Sequence, residues 1–234
     1  MNYVISDIHG DYGSYRKMLD VIGFNNNDTL YIIGDICDRG LYSAELYLDI
    51  MARENVISIK GNHEFMAEKV LPYLFGFEKI KSKKHYNGDY EIWLENGGKK
   101  TIESLSRLDD AEKKRVLDYI DKMPFYATVK TDSREFLLVH AGLYGYEPQK
   151  SLDSYIPHDL VWMRPFDFNA KLWEDPNKYL VVGHTPTNFI NPDRSLRIFH
   201  GKGNIIAIDC GNAYRAVGGK LGCLCLDIME EFYV

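Results

Sequence analysis

Gly34-Asp35-Ile36-Cys37-Asp38-Arg39-Gly40 follows directly on the aliphatic run Leu30-Tyr31-Ile32-Ile33. A short run of β-branched and aliphatic residues that ends in glycine reads as a buried strand. Here that strand delivers two carboxylates and a guanidinium at its carboxyl end. The arrangement recurs along the chain. Tyr3-Val4-Ile5 leads into Ser6-Asp7-Ile8-His9-Gly10, and Val56-Ile57-Ser58-Ile59 leads to Gly61-Asn62-His63-Glu64. Phe136-Leu137-Leu138-Val139 runs into His140-Ala141-Gly142, and Leu180-Val181-Val182 into Gly183-His184-Thr185-Pro186. Ile205-Ile206-Ala207-Ile208 runs into Asp209-Cys210-Gly211. Helix-length segments lie between the early runs: Asp11 to Gly23, Ser43 to Glu54, and Glu64 to about Leu74. Such alternation predicts βαβ units around a largely parallel sheet, hence an α/β fold, in one domain spanning 1–234. Open α/β sheets bind ligands beyond the carboxyl ends of their strands, and the polar residues above all sit there.

Composition narrows the classes. Over 234 residues, 45% apolar and 26% charged residues are ordinary globular values and exclude a disordered or fibrous chain. The net charge of −6 argues against non-specific nucleic-acid binding as the main task, while permitting a local basic pocket. No apolar stretch approaches the ~20 residues of a membrane span, and Met1 to Asp7 lacks the features of a signal peptide. Cys37, Cys210, Cys223 and Cys225 form no C-x-x-C pair, so free buried thiols in a reduced, cytoplasmic setting are expected. Cys223 and Cys225 fall on one face of a strand.

The middle of the chain changes character. Gly76 to Lys100 is polar, interrupted by glycine and carries Lys79, Lys81, Lys83 and Lys84, which predicts a long loop or insertion with a solvated lysine face. Ile102, Leu105 and Leu108 mark a helix face, and Val116, Leu117, Ile120 and Met123 a second that stops before Pro124. Asn96-Gly97-Gly98 before Thr101 reads as a turn entering a helix, and Gly218 to Val234 as closing strands.

The strand-end donors are Asp7, His9, Asp35, Asn62, His63, His140 and His184. Oxygen donors mixed with imidazoles suit manganese, iron or zinc better than calcium or magnesium. The set is large enough for two ions with Asp35 shared, and two cations clamp the attacking and leaving oxygens of an in-line displacement at phosphorus. In an extended segment Asp7 and His9 point to one side and can grip one ion, whereas the adjacent Asn62 and His63 point apart. One of that pair can then be a ligand while the other faces substrate. A lone histidine is more often a packed or surface residue than a ligand, and His85, His158 and His200 are expected at the surface. Six strand ends that all carry compatible donors are a different matter.

Asp7-Ile8-His9-Gly10, Gly34-Asp35-Ile36-Cys37-Asp38-Arg39-Gly40 and Gly61-Asn62-His63-Glu64 together closely resemble the signature of the PPP-type metallophosphatases, within the calcineurin-like metallophosphoesterase superfamily. Val139-His140-Ala141-Gly142 and Val182-Gly183-His184-Thr185-Pro186 look like its later metal motifs. The nearest branch is the small bacterial and bacteriophage serine/threonine phosphatases, whose pattern Trp93-Leu94-Glu95-Asn96-Gly97-Gly98 with Thr101 also resembles. Ala141 departs from the two glycines usual in eukaryotic members, and Cys37 from a more usual Val or Tyr. Neither touches an implied ligand.

The resemblance implies a central β-sandwich flanked by helices and two divalent transition-metal ions, manganese first, with iron or zinc as alternatives. It implies Asp7, His9 and Asp35 at one ion, and Asp35, Asn62, His140 and His184 at the other. It implies His63 as the acid for the leaving oxygen, Asp38 as its partner, and Arg39 as a phosphoryl ligand. Leu160-Val161-Trp162-Met163-Arg164 resembles the segment that supplies a second phosphate arginine, Arg164. The implied activity is hydrolysis of phosphomonoesters, as in a serine/threonine protein phosphatase, by direct attack of a hydroxide bridging two ions. The implied partner is a phosphorylated substrate. Dinucleoside polyphosphate hydrolases of the same superfamily are the rival, and they tend to lack the acidic residue that stands here as Asp38. An inactive binding module should have lost a ligand or His63, and the sequence keeps them all.

Overall fold

The period-two alternation of the aliphatic runs decides the architecture, because each strand has two apolar faces to bury. In the computed structural model, which describes residues 1–234 except Lys81, Pro148 and Phe166, ten strands form two five-stranded sheets. The first holds β1 (Asn2–Ile5), β2 (Thr29–Ile33), β3 (Val56–Ile59), β9 (Gly222–Cys225) and β10 (Glu230–Tyr233), in the order β10-β9-β1-β2-β3. The second holds β4 (Tyr126–Lys130), β5 (Glu135–Val139), β6 (Lys178–Val182), β7 (Phe199–His200) and β8 (Ile205–Ala207), in the order β4-β5-β6-β8-β7.

Val4, Ile33, Ile59 and Leu224 of the first sheet meet Phe136, Leu138, Val181 and Ile206 of the second in a shared core. The alternate residues Tyr3, Ile5, Leu30, Ile32, Cys223 and Cys225 face a helical layer on the outer side. That layer is built from α1 (Tyr12–Val21), α2 (Ser43–Met51), α3 (Asn62–Leu74), α4 (Lys83–Glu95), α5 (Gly98–Leu105) and α6 (Asp110–Lys122). On the far side of the second sheet, Leu137, Val139, Leu180 and Val182 pack with Leu160 and Val161 of α7 (Pro157–Val161). The result is a β-sandwich flanked by helices.

Two expectations need correction. The sheet is not one largely parallel sheet: β1-β2-β3 and β5-β6-β8 pair in parallel, but β9, β10, β4 and β7 pair antiparallel at the edges. Nor is 76–100 a loop, since α4 fills Lys83–Glu95 and α5 begins at Gly98. Ser82 caps α4, its hydroxyl accepting from His85 N. Gly97, at φ 103°, turns the chain between the two helices in a conformation that side chains disfavour. Of the predicted lysine face, Lys81 lies outside the described residues, and Lys79, Lys83 and Lys84 are exposed. His85, His158 and His200 are exposed, and the four cysteines are buried and free, as the sequence predicts. Among the described residues no helix is long and apolar enough to cross a membrane.

Candidate active site

The carboxyl ends of β1, β2, β5 and β6, together with the start of α3 after β3, converge on one cleft. The chain turns sharply there. Asp7, His9, Asp35, Asp38, Arg39 and His184 all have positive φ, six of the eight non-glycine residues that do so among those described. Each costs of order 1–3 kcal/mol and persists only where its surroundings hold it. Two devices hold these. The turn after β1 is laced to the turn after β2 by Asp7 N–Gly34 O (3.1 Å), His9 N–Asp35 O (2.9 Å) and Gly10 N–Ile36 O (2.8 Å). The buried Glu64 carboxylate accepts from the amides of Asp35, Ile36, Cys37 and Gly61 at 2.8–3.3 Å. Glu64 has no role among the residues singled out from the sequence, although a glutamate three residues after a helix N-cap, here Gly61, is a capping-box signal. Glycine is required at close approach: a Cβ on Gly183 would lie 2.4 Å from Asp7 Oδ2, and one on Gly61 2.3 Å from Asp35 Oδ1.

The local geometry differs from the expected extended segments. Asp7 and His9 are left-handed, yet His9 Nε2 still lies 4.0 Å from Asp7 Oδ1. Asn62 and His63 occupy the first turn of α3, so the helix, not a strand pleat, directs them apart. Asp35 stands at the centre. Its Oδ1 is 3.3 Å from His140 Nε2, and its Oδ2 is 3.7 Å from both His9 Nε2 and His63 Nε2. Asn62 Oδ1 lies 2.9 Å from His140 Nε2 and 3.0 Å from His184 Nδ1. Ligand atoms of Asp35, His140 and His184 thus form one cluster, and those of His9, Asp35 and His63 another.

The tautomers fit metal binding. His140 Nδ1 donates to Ile33 O (2.8 Å) and His9 Nδ1 to Cys37 O (3.1 Å), leaving each Nε2 lone pair aimed into the cluster. Lone pairs of Asp35, Asn62 and His140 that converge in a buried place repel unless a cation or a proton lies between them. A proton on His140 can do that work. Burial pulls His140 down, but the Asp35 charge and hydrogen bond outweigh it and hold the imidazole up at about 10. Burial raises Asp7 to about 6, partly opposed by His140. Burial and the neighbouring His140 charge lower His184 to about 3, and its Nε2 is buried without a partner among the described residues.

Beside the donors lies the second half of the cleft. His63 Nδ1 is 2.7 Å from Asp38 Oδ2, and both residues are buried. Burial opposes charge on His63, but Asp35 and Asp38 outweigh it and raise its pKa. Arg39 Nη2 lies 3.2 Å from His63 Nε2. A guanidinium only donates, so that contact needs a neutral His63, and it must open when the ring is charged. The two flanking carboxylates favour charge on the ring and the Arg39 guanidinium opposes it. Arg164 Nε donates to Thr185 Oγ1 (2.9 Å), which leaves its terminal nitrogens for a ligand. Arg39, Arg164, His63, Asn96, Trp162, Phe189, Asp209 and Tyr214 line the same cavity of about 200 Å³ as Asp7, His9, Asp35, Asn62 and His184, and His140 lies fully buried behind them. Asp209 follows the aliphatic run Ile205-Ile206-Ala207-Ile208. It is buried and also reaches the cavity wall, and burial together with Asp7 raises its pKa well above the usual range.

A two-sheet α/β scaffold with oxygen and imidazole donors around a shared carboxylate describes a metal-dependent hydrolase. The model of the calcineurin-like phosphoesterase family matches residues 3–211, and the chain belongs to that family. Its members normally use a dinuclear metal centre. Over 149 residues the chain is 30% identical to serine/threonine-protein phosphatase 2 of Escherichia coli (strain K12), covering 62% of this chain and 60% of that one. Over 144 residues it is 30% identical to the symmetrical bis(5'-nucleosyl)-tetraphosphatase of Wigglesworthia glossinidia brevipalpis, covering 61% and 44% respectively. The chain therefore spans about half the length of these relatives. Among solved structures, a proposed diadenosine tetraphosphatase superposes with a TM-score of 0.65 at 18% identity, covering 100% of this chain and 92% of that one.

Proposed function

We propose that the protein hydrolyses phosphomonoesters, with phosphoserine and phosphothreonine in proteins as its substrate class. The observation that carries this is the buried Asp38–His63 pair, 2.7 Å apart, whose histidine lines a cavity that also holds two arginines. About 200 Å³ accommodates a phosphoryl group and leaves the rest of the substrate outside.

Asp7, His9 and Asp35 would hold one divalent ion, and Asp35, Asn62, His140 and His184 the other, with manganese proposed ahead of iron or zinc. Ions bound there supply Lewis-acid activation of water and of the phosphoryl oxygens. Arg39 and Arg164 grip the non-bridging oxygens, which a planar, permanently charged guanidinium matches two at a time. As phosphate draws Arg39 away from His63, Nε2 is freed to carry a proton to the departing oxygen. Asp38 keeps Nδ1 protonated and stabilises the charged ring. Four buried, unpaired thiols support a reducing, cytoplasmic setting.

One observation favours a second substrate class. Phe189 and Tyr214, at the cavity wall, are 79% and 49% exposed and could stack on a nucleobase, as dinucleoside polyphosphate hydrolysis would require. The test is the manganese-reconstituted protein assayed with a phosphoserine peptide, a phosphotyrosine peptide, diadenosine tetraphosphate and nitrophenyl phosphate. The highest kcat/KM is expected on the phosphoserine peptide. A clear preference for diadenosine tetraphosphate would overturn the proposal in favour of the second class.

A further inference from the structure

Asp38 is fully buried and its carboxylate has three side-chain donors. His63 Nδ1 and Trp93 Nε1 both reach Oδ2 at 2.7 Å, and Thr101 Oγ1 reaches Oδ1 at 2.5 Å. Thr101 Oγ1 also accepts from Asp38 N (2.8 Å), so one hydroxyl fixes both the main chain and the side chain of Asp38. Trp93 lies on α4 and Thr101 on α5, the two helices of the segment whose composition predicts a loop. The turn between them touches the phosphate side as well: Gly97 O accepts from Arg39 N (3.3 Å), and a Cβ on Gly97 would lie 2.9 Å from Arg39 Cγ.

A buried indole N–H needs an acceptor, but any carbonyl would serve. This one is spent on the oxygen that holds His63. A carboxylate that accepts from three side-chain donors is held against rotating away from the imidazole, and its charge is compensated although it is fully buried.

We infer that Trp93 and Thr101 are positioning residues that lock Asp38 onto His63, so that α4 and α5 set how well the protein expels a poor leaving group. This rests on His63 acting as the acid. Without the lock, Asp38 samples other rotamers, His63 loses its orientation, and proton delivery to the departing oxygen suffers. Bond breaking to a group that needs no proton is affected less.

The experiment uses the metal-loaded protein and three variants. Thr101→Val keeps the shape and removes the hydroxyl. Trp93→Phe keeps an aromatic ring and removes the N–H. Thr101→Ser returns the hydroxyl. Loss of one hydrogen bond to a charged group predicts about a tenfold or greater fall in kcat/KM on phosphoserine peptide for Thr101→Val and Trp93→Phe. The fall on nitrophenyl phosphate is expected to be several-fold smaller, and Thr101→Ser should recover most of the Thr101→Val loss. The independent readout is the proton spectrum of the zinc-loaded protein. A downfield His63 Nδ1–H resonance is expected in the parent and Thr101→Ser, and should be shifted or broadened by exchange in the other two. An unchanged resonance, or equal losses on both substrates, would overturn the positioning role. Should the parent hydrolyse no phosphomonoester while the resonance still responds to both variants, the proposed activity fails and the positioning of His63 stands.

Discussion

Asp7, His9, Asp35 and His184 hang from strand ends whose backbone is strained into place, His140 follows β5 without such strain, and Asn62 sits on the helix turn beside them. Asp38, Arg39 and His63 are held by helices that pack against the sandwich from one side. The donor half is a property of the two sheets. The proposed ligands come from both sheets and are fixed by backbone lacing, by Glu64 and by glycines that admit no side chain. The proposed acid half is held by α4 and α5, through Trp93 and Thr101 on Asp38. Metal affinity and proton delivery are therefore expected to respond to different substitutions.

The largest effect is expected from Asp35→Asn. Asp35 reaches toward His140 with one oxygen and toward His9 with the other. Elemental analysis should show both ions depleted and activity abolished, whereas His9→Ala should empty mainly one site. Saturation at a single ion in the parent, with Asp35 uninvolved, would remove the shared carboxylate from the account. Next comes Arg39→Ala, with kcat/KM on phosphomonoesters down by about 10–100-fold and inhibition by inorganic phosphate weakened, at unchanged metal content. Arg39→Lys should rescue poorly, because a point charge does not reproduce the fork. Gly183→Ala sharpens the contrast from the other side. Its Cβ would press on Asp7 from 2.4 Å, so metal affinity should fall by about 10–100-fold while the leaving-group dependence of the loaded protein stays as in the parent. The smallest effect belongs to Arg164→Ala, about tenfold on phosphate inhibition. No change there would return Arg164 to the role of a surface residue bonded to Thr185.

The same division decides what could be read from the sequence. Strand-end donors were visible because buried strands write themselves as aliphatic runs, and each run stops at its functional residue. The pairing of β1 with β9 joins residues more than 200 positions apart, so no local pattern announces the antiparallel edges or the sandwich. That architecture came from family resemblance. In α4 only Trp93 is fully buried; Tyr86 and Tyr90 continue its stripe at half-burial, and Gly88 with the charged residues between them makes the segment look like a loop. Trp93 could be quoted as part of a familiar stretch, but its bond to Asp38 is a tertiary fact. Adjacent Asn62 and His63 diverge as anticipated, though on a helix turn that Gly61 and Glu64 begin two residues earlier than expected.

His63 is where the two halves meet. Its Nε2 is as close to Asp35 Oδ2 as that of His9, while its Nδ1 is held by Asp38. The decisive measurement is metal stoichiometry and leaving-group dependence in the same preparation of His63→Asn. About two equivalents of metal should be retained. Activity on a phosphoserine peptide should fall by ~10²–10⁴-fold, with a clearly smaller fall on nitrophenyl phosphate. Loss of an ion, or equal losses on the two substrates, would make His63 a ligand or a phosphate-binding group and contradict the separation of the two halves.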